Sequence, residues 1–196
     1  MLSVFDVSTQ FVDRAGGKIE ATKLEKLCFY AFGWYAHLTG EPLFSERFYA
    51  MQHGPVVGDL LTAHAGLKEV DQDVLSSRFA PWETEREEPG GYIKKVIDCV
   101  WGTYGSLDAF DLAEYSHKEK VWQKSWKRRP KGSKRADLPH RDLISYFLAR
   151  EPQSDEVPDL PPAMLTVVKQ EILDTAERSS SVHHPFIEAI RKQRAA

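Results

Sequence analysis

A chain of 196 residues with 42% hydrophobic and 28% charged side chains is long enough to bury about 70% of the surface its unfolded form exposes, and too apolar to be disordered throughout. Its net charge of −3 gives no overall attraction to nucleic acid or anionic lipid, so any such contact has to come from a local patch. The two cysteines, Cys28 and Cys99, fall in apolar helical patterns and read as buried thiols, not as a disulfide framework or a metal site.

The first residues, MLSVFDVSTQFVDR, have no basic leader and place Asp6 where a secretion signal would be apolar. No run approaches the roughly 18 apolar residues of a membrane span, so a soluble, cytoplasmic protein without membrane contact is expected. Residues 4–15 suit a first short helix ending at Gly16-Gly17. Thr22 followed by Glu25 has the spacing of a capping box. Beyond it Leu24, Leu27, Cys28, Ala31, Tyr35 and Leu38 keep the helical period, and Phe29, Phe32 and Trp34 make the helix apolar almost all round, as befits the centre of a bundle. Thr39-Gly40 is its stop.

Phe48–Gln52 reads as one brief aromatic strand. Pro55 then suits a first helical turn, where its missing N–H costs nothing, with Val56, Val57, Leu60, Leu61 and His64 following and Gly66 closing that helix. Glu83–Glu88 and Pro89-Gly90-Gly91 form a solvated loop. Ile93, Val96, Ile97, Val100, Trp101 and Tyr104 make the clearest helical stripe, and Gly105-Ser106 breaks it before Leu107, Phe110 and Ala113. A basic loop, Lys127–Arg135, precedes a helix carrying Leu143, Ile144, Phe147 and Leu148. The expected architecture is mainly α: a single helical bundle over residues 1–150 with at most a short β element near residues 47–52. A Pro- and acid-rich linker over 151–163 and an amphipathic helical tail over 164–196 follow.

Candidate chemistry is scattered. His53, beside Gly54-Pro55, could meet an anion at a helix start, and His117 could serve as a base, but each lacks a sequence-near partner and each suits a structural role. His183-His184 lacks helical zinc spacing, and His37, His64 and His140 stand without ligand partners, so no metal and no cofactor are expected. Lys127, Arg128, Arg129, Lys131, Lys134 and Arg135 follow Trp122 and Trp126 and could bind nucleic acid, a reading that ranks second at a sequence pI of about 6.2. The tail's apolar face, Leu165, Val168, Ile172, Phe186, Ile187 and Ile190, must be buried on its own bundle or in a partner's groove.

Taken together, LEKLCFYAFGWYAHLTGEPLF, MQHGPVV and YGSLDAFDLAEYSHKEKVW resemble the Panacea antitoxin domain, the phage-associated GepA- and SocA-like family. Its pattern falls here on Lys23, Leu24, Lys26, Leu27, Gly33, Trp34, Tyr35, Thr39, Gly40, Pro42 and Leu43. It continues through Gly54, Pro55, Val56, Tyr104, Gly105, Ser116, His117, Glu119 and Trp122, with Val121 where the family has proline. The resemblance implies a bacterial or phage-borne antitoxin that neutralises a co-encoded protein toxin by contact, without catalysis, either by masking it or by delivering it to a protease. The alternatives from other classes are a nucleic-acid-binding regulator acting through residues 126–135 and a hydrolase using His53 and His117.

Overall fold

The structure, a computed structural model, describes residues 2–77, 88–150 and 159–164, all within one compact unit. Helix α1 (Val4–Arg14) starts at a capping box formed by Ser3 and Asp6, each side chain bonding the other residue's backbone N–H. Strand β1 (Lys18–Glu20) leads directly into α2 (Ala21–Thr39), whose carboxyl end turns at Gly40 with φ of +74°. Leu24, Leu27, Phe29, Phe32 and Trp34 are all fully buried, because α2 is surrounded: α1 and three later helices, α5 (Gly91–Tyr104), α6 (Ala109–His117) and α8 (His140–Leu148), all pack on it.

The short elements between these helices correct the expectation of a bundle with one β element. Five strands occur among the described residues. β1 pairs with β4 (Glu69–Asp71), while β2 (Phe48–Met51) lies between β3 (Gly54–Val57) and β5 (Arg135–Leu138), every pairing antiparallel. Three or four residues per strand are too few to write an alternating pattern into the sequence, and all four positions of β3 are buried.

Gly54-Pro55 therefore does not open a helix. Gln52 and His53 form the turn of a β2–β3 hairpin, and Gly54 leaves it at φ +99°, a conformation glycine adopts at little cost. Helix α3 (Gly58–Ala63) begins only after the strand ends. The expected cap at Thr22 is likewise not made: α2 starts at Ala21, its cap position Glu20 makes no side-chain cap bond, and Glu25 is drawn elsewhere. A fourth helix, α4 (Gln72–Ser76), is capped by Asp71. The basic stretch is not a single loop; Lys127 ends α7 (Lys120–Lys127) and Arg135 opens β5.

Cys28 is fully buried, but Cys99 is half-buried, and its thiol donates to the Asp159 carbonyl at 2.7 Å. That bond belongs to a segment, residues 159–164, that lies along the unit: Tyr92 donates to the Pro162 carbonyl, and the Met164 amide donates to the Leu38 carbonyl, both at 2.8 Å. Glu83–Glu87 of the acidic loop, residues 151–158 of the linker, the tail positions Leu165, Val168, Ile172, Phe186, Ile187 and Ile190, and His183-His184 lie outside the described residues.

Candidate functional site

A strand at the edge of a sheet carries backbone groups with no neighbouring strand to satisfy them, and β3 is such an edge. Its outward positions are Pro55 and Val57, and α2 supplies what a sixth strand would. The Glu25 carboxylate accepts the Val57 N–H at 2.7 Å, and the Lys26 ammonium donates to the Pro55 carbonyl at 2.9 Å. Proline is tolerated at this register because no N–H is required of it on that side. Both side chains are only 1% exposed. The other Glu25 oxygen is bonded by His64 Nε2 at 2.9 Å, so the carboxylate is fully engaged. Burial pulls the Lys26 pKa down from 10.5 to about 8, with the charge of Glu25 opposing the fall.

This pair floors a cleft of about 490 Å³. Met51, Val56, Leu61 and Trp126 supply apolar walls, while His53, Arg129 and Lys134 stand with Lys26 among the groups lining it. The hairpin turn and the basic stretch, separated in the sequence by more than seventy positions, thus meet at one place. The Arg129 guanidinium lies over the Trp126 ring, 3.8 Å from its centroid. Lys127, Arg128 and Lys131 do not line the cleft, and Arg135 stacks on Tyr49 instead, at 4.6 Å.

His117 is not in the cleft. It ends α6, stacks on Trp122 with ring centroids 4.4 Å apart, and pairs through Nδ1 with Glu114 at 3.1 Å, while its Nε2 is buried without a partner. Trp122 in turn donates to the Met51 carbonyl at 3.2 Å. The two histidines of the hydrolase reading therefore belong to different surroundings, one on a hairpin turn and one in an aromatic stack.

The remaining motif positions are joined to one another. Lys23 donates to the Gly105 carbonyl at 2.6 Å, and Trp34 Nε1 to the Tyr104 hydroxyl at 3.2 Å. Gly54 faces Ser116 and Lys26 so closely that a Cβ there would overlap the Ser116 hydroxyl, and one on Gly33 would overlap the Phe147 ring. Tyr35, half-buried, packs against the core.

Glu119 sits where α6 passes into α7 and gathers three donors: the Tyr30 hydroxyl at 3.2 Å, the Tyr146 hydroxyl at 2.6 Å and the Arg150 guanidinium at 2.9 Å. Burial first, and the Glu119 charge second, push the Tyr30 hydroxyl pKa well up; Tyr30 also stacks on Tyr104 at 4.3 Å. Val121, in the first turn of α7, occupies a position where proline would also be accepted, which reconciles it with the family's proline.

Glu25, His64, Tyr30, Tyr146 and Arg150 were not singled out by the sequence as partners. The available signal was Glu25-Lys26 itself, a charged pair inside a helix otherwise apolar on nearly every side.

Among the described residues no three His, Cys, Asp or Glu side chains gather as a metal site, and no helix is long and apolar enough to cross a membrane. The family described as antitoxin SocA-like, Panacea domain, matches the chain over residues 24–123, a span that contains the α2 helix from Leu24, the hairpin and Glu119 with its partner Tyr30. No curated protein and no solved structure gives a match. The chain belongs to the SocA-like antitoxin family that carries the Panacea domain.

Proposed function

We propose that this protein neutralises a co-encoded toxin by direct protein–protein binding, without catalysis, in the cytoplasm of a bacterium or in the setting of its phage. The observation that carries the reading is the family match over residues 24–123. It is supported by what the motif residues do. Lys23, Trp34, Tyr104, Gly105, Glu119 and Trp122 are each engaged with another part of the fold, so the shared pattern encodes a scaffold.

The surface that grips the toxin is assigned to the tail beyond Met164, through Leu165, Val168, Ile172, Phe186, Ile187 and Ile190. An amphipathic segment ordering on a partner loses a few kcal/mol to conformational entropy, which apolar burial at about 25 cal/mol per Å² offsets. Such a contact serves equally to mask the toxin and to present it to a protease.

The test is growth rescue in cells expressing the product of the adjoining reading frame. The full chain restores growth. Removal of residues 165–196, which keeps the Met164–Leu38 bond, abolishes rescue while the melting transition and circular dichroism of the remainder are preserved. Full rescue by the shortened chain would refute the tail assignment, and failure of the full chain to co-purify with that product would refute the reading itself.

A further inference from the structure

The cleft beside the hairpin holds more positive charge than the fold needs. Lys26, Arg129 and Lys134 line it against one carboxylate, Glu25, which is already bonded on both oxygens. A lysine ammonium carries three N–H donors. Lys26 directs one to the Pro55 carbonyl and, although fully buried, has no other hydrogen-bond acceptor among the described residues. Two donors on a desolvated cation therefore remain for something that enters the cleft, where an anion is favoured far more than on an open surface.

The other half of the cleft is apolar. Met51, Val56, Leu61 and Trp126 face the same space, and its volume of about 490 Å³ falls within the roughly 300–1,000 Å³ of small-molecule sites. We propose that this cleft binds a small phosphomonoester with an apolar or aromatic body, of which a nucleoside monophosphate is the simplest representative. Lys26 and Arg129 take the phosphate oxygens, Lys134 and His53 close the rim, and the apolar walls receive the body of the ligand. Three cations against the single carboxylate of Glu25 leave an excess of two positive charges, which matches a dianion, and the planar donors of a guanidinium suit phosphate. Because an entering anion favours the charged ammonium, it also raises the Lys26 pKa from its depressed value of about 8.

This assignment does not depend on the antitoxin reading, and the two fail separately. The measurement is isothermal titration of the full-length protein with AMP, adenosine, inorganic phosphate and a single-stranded oligonucleotide. AMP is expected to bind saturably at one site, more tightly than adenosine and than phosphate. Because Arg129 and Lys134 are exposed, replacing both by Ala leaves the melting temperature unchanged and weakens AMP about tenfold or more. The proposal is overturned if AMP does not saturate, if phosphate alone binds as tightly, if only the oligonucleotide binds, or if the Arg129→Ala/Lys134→Ala protein binds AMP like the parent.

Discussion

Glu119 and Glu25 are both buried acidic side chains, both lie within the region that defines the family, and both tie elements together that are distant in sequence. Around Glu119 the carboxylate is held by three donors from the protein itself. Tyr30, Tyr146 and Arg150 converge from α2, from α8 and from just beyond α8, and Arg150 itself lies over Trp34 and Phe147. Around Glu25 the carboxylate is equally satisfied, but its sequence neighbour Lys26 lines an open cleft with donors unused by the described residues. One node is closed on itself and holds helices in place. The other secures a strand edge and also faces space that a ligand can occupy. The same residue chemistry thus yields a fastener in one place and a candidate receptor in the other.

The comparison breaks most visibly at Glu119. Replacing it with Ala removes the acceptor shared by the Arg150 guanidinium and two tyrosine hydroxyls, and loss of one partner from a largely buried pair costs about 3 kcal/mol. Urea denaturation of Glu119→Ala is expected to show that loss, with Glu119→Gln retaining part of the stability because the amide still accepts the tyrosine hydroxyls. An unchanged midpoint for Glu119→Ala would mean that the node is not a fastener.

A pH-dependent effect of similar size sharpens the other side. Lys26 titrates near 8 in the native chain and near 10.5 when unfolded, so between those pH values the unfolded state holds more protons at this position and stability rises with pH. Below pH 8 the cost of burying the ammonium is carried in full. The difference in unfolding free energy between the parent protein and Lys26→Met should therefore grow in favour of the parent by about 3 kcal/mol from pH 8 to 10.5. Taking the difference removes the tyrosines, which titrate in both proteins. A flat difference would place Lys26 in contact with solvent.

The longer helices α1, α2, α5 and α8 were legible because each repeats its apolar positions over at least two turns, as Ile93, Val96, Ile97, Val100 and Tyr104 do within α5, whereas α4, five residues long, has no room for such a repeat. Of the strands, only β2 was legible, as the aromatic run from Phe48. Gly54-Pro55 suits a helix start as well as it suits a hairpin arm, and only the approach of Glu25 and Lys26 from α2 decides between them. Thr22 and Glu25 had the spacing of a cap, yet the buried strand edge offered Glu25 the Val57 N–H and His64. The true cap, Ser3 with Asp6, has the shorter acid of the pair. The cleft escaped notice for the same reason of distance: His53 and Arg129 meet only after β2 has paired with β3 and β5 and α7 has packed behind them. Family resemblance located Glu119 and Lys26, and the structure supplied the reasons for their positions.

The central claim is that neutralisation is an act of binding. It is tested most directly by titrating the purified full-length protein into a fixed amount of the co-encoded toxin and following residual toxin activity over time. Binding predicts that activity falls in proportion to the protein added, reaches zero at a fixed molar ratio, and does not drift further with incubation. Complete loss of toxin activity from a small substoichiometric amount, progressing with time, would show turnover and contradict the account.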